Sequence, residues 1–159
     1  MPRVHHRKAR KDYPNQGIEK GDMYYTWAIK MQRGGIVKRS KTYPKRSQLT
    51  LSDFLGQAYD LDDAVQEAPD IDTLRALADD IRSLGQEQQE KLDNMPEQLQ
   101  YAASGELLQE RIDQCEEWAD SVEAACDEYE NEIDDDDDLS DDDKCEAFDR
   151  IRGDIESPV

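Results

Sequence analysis

The stretch GELLQERIDQCEEWADSVEAACDEYENEI, residues 105–133, decides the fold class of this chain. Its apolar residues recur at alternating spacings of three and four over almost four heptads, which is the period of a helix with one side against another helix. The sequence therefore predicts a long helix that packs against a second one, within the chain or in a homodimer. The apolar positions are Leu108, Ile112, Cys115, Ala119, Val122, Cys126, Tyr129 and Ile133.

The same alternation predicts two helices upstream, at about 51–68 and 72–93, separated by Pro69. A break containing Pro96 precedes the long helix, and Ser140 begins a short final helix. The fold class is predicted to be mainly α, with a basic arm and a two-stranded β-hairpin before an acidic antiparallel helical bundle or coiled coil. The predicted divisions are a flexible arm at 1–20, a hairpin at 21–46, a helical bundle at 47–133, and an acidic linker with a short helix at 134–159.

The hairpin is predicted from a change of period. From Met23 to Met31 apolar and aromatic residues alternate with more polar ones, as in a strand with one apolar face. Gly34 and Gly35 tolerate the positive φ of a two-residue turn, so the chain is expected to return as a second strand. This turn would place Lys30 opposite Arg39, a like-charge pair that an anion over that face would stabilise.

Charge is divided by position along the chain. The 159 residues carry a net charge of −19, yet residues 1–50 hold 13 of the 20 Lys and Arg and only three acids. The first 50 residues thus carry +10 and the rest −29. This asymmetry is typical of a basic element for polyanions joined to an acidic body. A head that folds back onto the body as an internal ion-pair partner is the alternative.

The cationic side chains of the head are the candidate contacts to nucleic acid, because Lys and Arg neutralise phosphates. Nothing resembles a recognition helix, so low sequence specificity is expected. Tyr24, Trp27 and Tyr43 could stack on unpaired bases, although packing is the favoured role of the aromatic face. The candidate residues are Arg3, Arg7, Lys8, Arg10, Lys11, Lys38, Arg39, Lys41, Lys45 and Arg46.

Catalysis, cofactors and metals are not indicated. Three cysteines without a CxxC pair predict reduced thiols, with Cys115 and Cys126 as small buried residues. The adjacent His5 and His6 make only a weak metal site. The acidic run from 134 to 138 fails the EF-hand spacing, since no glycine falls at the sixth position. No apolar run reaches the roughly 18 residues of a membrane span.

Four short stretches resemble a group of small uncharacterised proteins of tailed bacteriophages and prophages. They are KGD at 20–22 with Tyr24, Tyr25 and Trp27 after it, RSKTYPKRSQLT at 39–50, DNMP at 93–96, and CEEW at 115–118. The resemblance implies an accessory phage role in the cytoplasm of a bacterial host. It brings no known activity and no catalytic residue.

Three functional hypotheses follow. In the first, a non-enzymatic adaptor contacts nucleic-acid backbone through its head and docks a host or phage protein through its body. In the second, the acidic body imitates DNA and blocks a host enzyme of the restriction or CRISPR type. Its long helix carries one net charge per roughly 4.5 Å, against one per roughly 1.7 Å for duplex DNA. The third is a structural or virion-associated coiled coil. The candidate partner-binding acids are Glu116, Asp120, Glu123 and Asp127.

Overall fold

A computed structural model describes residues 1–31, 33–135 and 140–159, and the chain divides into two compact units, Met1–Asp60 and Leu61–Val159. The protein is mainly helical, with a three-stranded antiparallel sheet at its N-terminus and helices after it. No helix of the described ranges is long and apolar enough to cross a membrane. The elements are β1 His5–Lys8, β2 Met23–Lys30, β3 Gly35–Ser40, α1 Asp53–Glu67, α2 Ile71–Asp93, α3 Glu97–Gln100, α4 Ala103–Asp135 and α5 Asp141–Gly153.

One face of the sheet is apolar where β2 crosses it. The strand order is β1-β2-β3, so β2 lies in the middle. Trp27 and Ile29 are buried on this face, and the Trp27 Nε1 donates a hydrogen bond of 3.1 Å to the Gln48 carbonyl oxygen. This bond holds the segment after β3 over the central strand. Packing is therefore the role of Trp27, as favoured from the sequence.

The opposite face is covered at one end by residues 9–22. Ala9 and Ile18 are buried together with Tyr24, and the Ala9 amide donates to the Asp22 carbonyl oxygen at 2.8 Å. Gly17 and Gly21 reverse the chain at φ values of +63° and +103°. The sheet has three strands where the sequence predicted a two-stranded hairpin, and the additional strand lies within the predicted arm at 1–20. Residues 5–8 form a third strand, because these few apolar side chains hold the segment against β2.

The register of the β2–β3 hairpin also differs from the predicted one. Lys30 pairs with Gly35, and Arg39 pairs with Thr26 rather than with Lys30. Gly34 has φ +85° and precedes β3, whereas Gly35 lies within it. A Cβ on Gly35 would stand 3.1 Å from the Ile29 carbonyl oxygen, so close approach of the strands explains this glycine. The predicted like-charge pair does not form.

Polar side chains cap α1, α2 and α5. The Ser52 hydroxyl accepts from the Leu55 amide at 3.3 Å before α1, and Asp70 accepts from the Thr73 amide at 2.8 Å before α2. Ser140 accepts from the Asp143 amide at 3.2 Å before α5. The Thr50 hydroxyl accepts from the Ser52 amide at 3.1 Å.

In the second unit α2 and α4 pack against each other in antiparallel directions. Arg75 near the start of α2 pairs with Glu130 near the end of α4, at 2.7 Å. Further along α2, a Cβ on Gly85 would stand 3.0 Å from the Cys115 Cβ, so glycine favours this close approach of the two helices. The buried residues between the two helices are Leu74, Ala78, Ile81, Leu84, Gly85 and Gln88 of α2, and Leu108, Cys115, Ala119, Val122 and Cys126 of α4.

The end of the chain packs on this helical unit. The Phe148 ring of α5 lies 5.5 Å from that of Tyr129, edge to face. Arg152 donates to the Ala68 carbonyl oxygen at 2.6 Å, just beyond the last residue of α1. A cation at a helix C-terminus is favourable because it meets unpaired carbonyls and the negative end of the helix dipole. The acidic run from 134 to 138 lies outside the residues whose side chains are described.

Candidate functional site

A basic groove lies on the sheet face that carries Thr26. Alternate residues of a strand point to the same face, so Arg3, His5 and Arg7 share it, and Thr26 lies opposite His5. Lys30, at the end of β2, lines the other side of the groove. The groove has a volume of about 770 Å³. Its polar lining is therefore dominated by cations.

A second depression continues the first one toward the covered end of the sheet. It has a volume of about 660 Å³ and shares Arg7 with the groove. Lys8, Arg10 and the ring of Tyr13 complete its lining. No carboxylate is among the described residues that line either depression. Five cationic side chains thus share one surface, which we call the basic face: Arg3, Arg7, Lys8, Arg10 and Lys30.

The acids of the first unit do not neutralise this surface. The unit Met1–Asp60 holds 13 Lys and Arg against five Asp and Glu, a net charge of +8. Asp22 pairs with Lys41 at 2.9 Å, and the Glu19 amide together with this ammonium holds the pKa of Asp22 below its usual value. Asp12 accepts from the Lys20 amide at 2.6 Å. The basic face therefore has a positive potential that attracts polyanions.

Two of the predicted cations stack on one aromatic ring at the border of the basic face. The Arg39 guanidinium lies 4.5 Å from the centroid of Tyr13, and the Lys11 ammonium lies 5.6 Å from it. Arg39 is half-buried, and its Nε has no hydrogen-bond partner among the described residues. Packing and the ring quadrupole hold these side chains in place. They border the basic face but do not line its depressions.

The remaining predicted cations lie elsewhere. Lys38 pairs with Trp27 across the strands and lines a separate depression that also contains Asp53 and Asp60. Lys41 is engaged by Asp22. Lys45 is exposed before a 3-10 turn, and the Arg46 guanidinium lies 4.4 Å from the Tyr59 ring centroid. The structure thus groups Arg3, Arg7, Lys8 and Arg10 and separates them from Lys38, Lys41, Lys45 and Arg46.

Sequence reasoning missed two residues of the groove, Lys30 and His5. The predicted turn placed Lys30 opposite Arg39, and the sequence suggested His5 only as a metal ligand. The period-two spacing of Arg3, His5 and Arg7 was a usable signal, because it predicts one shared face once the segment is read as a strand.

The acids predicted to bind a partner are largely engaged within the second unit. Arg82 of α2 donates to Glu123 and, at 3.1 Å, to Asp120 of α4. The hydrogen bond from Arg82 also lowers the pKa of Glu123. Asp127 lies 3.8 Å from Arg75, which bonds more closely to another acid. Glu116 is exposed and borders a groove of about 270 Å³ between α2 and α4.

An exposed apolar ledge lies at the turn between α2 and α4. Leu99, Tyr101 and Leu107 are exposed by 48%, 80% and 45%. The Gln100 side chain fixes the turn by donating to the Leu92 and Met95 carbonyl oxygens, at 3.2 and 2.9 Å. Exposed apolar side chains on a fixed backbone are a feature of docking surfaces. We call Leu99, Tyr101 and Leu107 the apolar ledge.

Two of the three cysteines, Cys115 and Cys126, are buried structural residues, and the third, Cys145, is a surface thiol. Burial raises the pKa of Cys115 to about 11 and also raises that of Cys126. Cys145 of α5 is exposed, whereas Phe148 and Ile151 of the same helix are buried. No cluster of three or more metal-ligating side chains occurs in the described ranges.

The chain matches no protein-family model, no curated protein and no solved structure.

Proposed function

We propose that this chain is a non-enzymatic accessory interaction protein whose first unit binds nucleic-acid backbone. The observation that carries the proposal is the basic face, where five cations share two joined depressions that no described carboxylate lines. Arg side chains suit phosphate because their planar fork donates two parallel hydrogen bonds. The cations that line this groove favour a polyanionic ligand.

The expected recognition is of low sequence specificity. The cations come from the edge strand β1, the segments beside it and the end of β2, and none of the five lies on a helix. Phosphate contacts fix position and carry no sequence information directly. Affinity should therefore depend on salt far more than on base sequence.

The second unit is proposed to dock a protein. This unit carries 7 bases and 34 acids, so its surface favours a basic partner. The apolar ledge supports docking, since aromatic and aliphatic anchors supply most interface energy while charges steer the encounter. We also propose that the helices form an antiparallel bundle or coiled coil and that the protein has a phage-type accessory role in the cytoplasm of a bacterial host.

Imitation of DNA by the acidic unit is a second candidate function. It is favoured by the exposed residues Glu106, Glu110, Asp113 and Glu117, which follow one side of α4 at spacings of four, three and four. This row carries one charge per roughly 5.5 Å at 1.5 Å per residue, against one per roughly 1.7 Å of duplex. The engagement of Asp120 and Glu123 by Arg82 weakens the imitation further.

The test is fluorescence anisotropy of labelled single-stranded and duplex oligonucleotides against the full chain over a range of salt. Binding whose logarithm falls linearly with the logarithm of salt supports the backbone proposal. Absence of binding at low salt would contradict it. DNA imitation predicts instead a nuclease-resistant complex with a DNA-handling enzyme, lost when Glu106, Glu110, Asp113 and Glu117 become Gln or Asn.

A further inference from the structure

A column of three aromatic rings crosses the sheet of the first unit on the face opposite the basic groove. The Tyr43 ring meets Tyr25 edge-on, with centroids 5.4 Å apart and planes at 77°. Tyr25 stacks on His6 of β1, with centroids 4.6 Å apart and planes at 19°. His6 and Tyr25 are directly paired across the two strands. Because β1 is an outer strand of the sheet, His6 is the last ring of the column.

The column ends at an accessible ring. His6 is exposed, and one face of its imidazole is used by Tyr25, which leaves the other face toward the sheet edge. Of the three aromatic residues that the sequence suggests for base stacking, Trp27 and Tyr24 are buried. Tyr43 is 64% exposed at the far end of the same column. A flat ring that joins at His6 would extend an ordered stack.

Two cations follow the same ring along β1. Arg7 lines both depressions of the basic face, and Lys8 lines the second one. The four residues of β1 span about 13 Å at roughly 3.3 Å per residue. This edge therefore presents an exposed ring next to cationic side chains. Bases stack readily on aromatic side chains, including His, once they are unpaired.

We propose that an unpaired base stacks on the outer face of His6, so that the ligand of the basic face is single-stranded nucleic acid. The inference rests on the proposed backbone function and adds the class of ligand. The nucleic-acid strand crosses the edge of the sheet at β1, with its phosphates near Arg7 and Lys8 and one base against His6. A duplex offers its phosphates to the same cations but keeps its bases within the helix.

The test uses the full chain, a short oligothymidylate with one 2-aminopurine, and a duplex of equal length. Stacking quenches 2-aminopurine fluorescence, so wild-type protein should both bind and quench. His6→Ala removes the ring, and we expect single-strand affinity to fall at least about fivefold with loss of the quench. His6→Phe keeps an aromatic ring and should stay within about twofold of wild type. Duplex affinity should change by less than about twofold in both variants.

Two results would overturn the inference. One is that His6→Ala still binds single strands and quenches fluorescence as wild type does. The other is an equal loss of affinity for single strands and duplex, which would indicate damage to the sheet. Circular dichroism of each variant checks the fold. Failure of the proposed function is a separate outcome: wild-type protein would then bind neither oligonucleotide at low salt. Retained binding that needs Arg3, Arg7 and Lys30 but not His6 would leave the backbone function intact and remove only the stacking.

Discussion

Replacement of the three outermost cations of the groove tests the position of the binding surface. The variant Arg3→Gln, Arg7→Gln, Lys30→Gln removes three positive charges from its lining while keeping side chains of similar length. All three side chains are exposed, so each substitution should change folding stability by no more than about 0.5 kcal/mol. A loss of binding would then reflect the surface rather than the fold.

The magnitude follows from counterion release. If each cation neutralises one phosphate, the slope of log affinity against log salt falls by about 2.1 for a single strand and about 2.7 for a duplex. Because the affinity of the variant rises less steeply as salt is lowered from about 1 M to about 0.15 M, its affinity falls behind that of wild type over this range. The difference is about 50-fold for a single strand and about 170-fold for a duplex. Anisotropy titrations at several salt concentrations measure both the slope and the affinity.

The matched control is Lys20→Gln, Lys38→Gln, Lys45→Gln, which lowers the net charge equally but leaves the groove intact. Lys38 lines a separate depression beside Asp53 and Asp60. The control should retain most of the affinity and slope. Equal losses in the two triple variants would show that net charge alone drives binding and would refute the assignment to the groove.

Three further predictions concern the helical unit. Gly105→Ala should destabilise the chain by about 3 kcal/mol, because its Cβ would overlap backbone atoms across the turn, whereas Gly153→Ala, with open space around it, should stay within about 0.5 kcal/mol in urea unfolding. Arg82→Gln should lower the Tm at neutral pH, and the difference should vanish in acid. The bond to Arg82 lowers the pKa of Glu123 from its ordinary value of about 4.5, so this bond stabilises the folded chain above that pH. The stabilisation is lost as the pH falls through the lowered pKa, and a Tm difference that persists in acid would contradict this. A thiol reagent should modify Cys145 in the folded chain and the two buried thiols only in denaturant, since thiolate formation and access both limit reaction; equal rates for all three would contradict the burial.

The helices could be predicted because their signals are local. The apolar spacing along residues 105–133 identifies the side of α4 that is buried, and Asp70 caps α2 directly after Pro69, which was predicted to separate the first two helices. Trp118 and Ala125 are also buried, outside the strict three-four pattern. The pattern shows which side is apolar, whereas the width of the buried side depends on which neighbouring elements pack against it.

The sheet and the site could be predicted only in part, because their determinants are distant in sequence. The strand at 5–8 depends on Ala9 and Ile18 covering Tyr24, which no local period reveals. The hairpin register depends on the contact of Gly35 with the facing strand rather than on positive φ. Consequently the sequence indicates a basic head, but it could not show that Lys30 joins Arg3 and Arg7 on one surface.

The most direct test of the central claim is an amide chemical-shift titration of the full chain with a short single-stranded oligonucleotide at low salt. If the basic face binds the backbone, the largest shifts will fall on β1 and on Thr26, Ala28 and Lys30 of β2, with small changes in Leu61–Val159. Shifts confined to the helical unit, or no shifts at saturating oligonucleotide, would contradict the account.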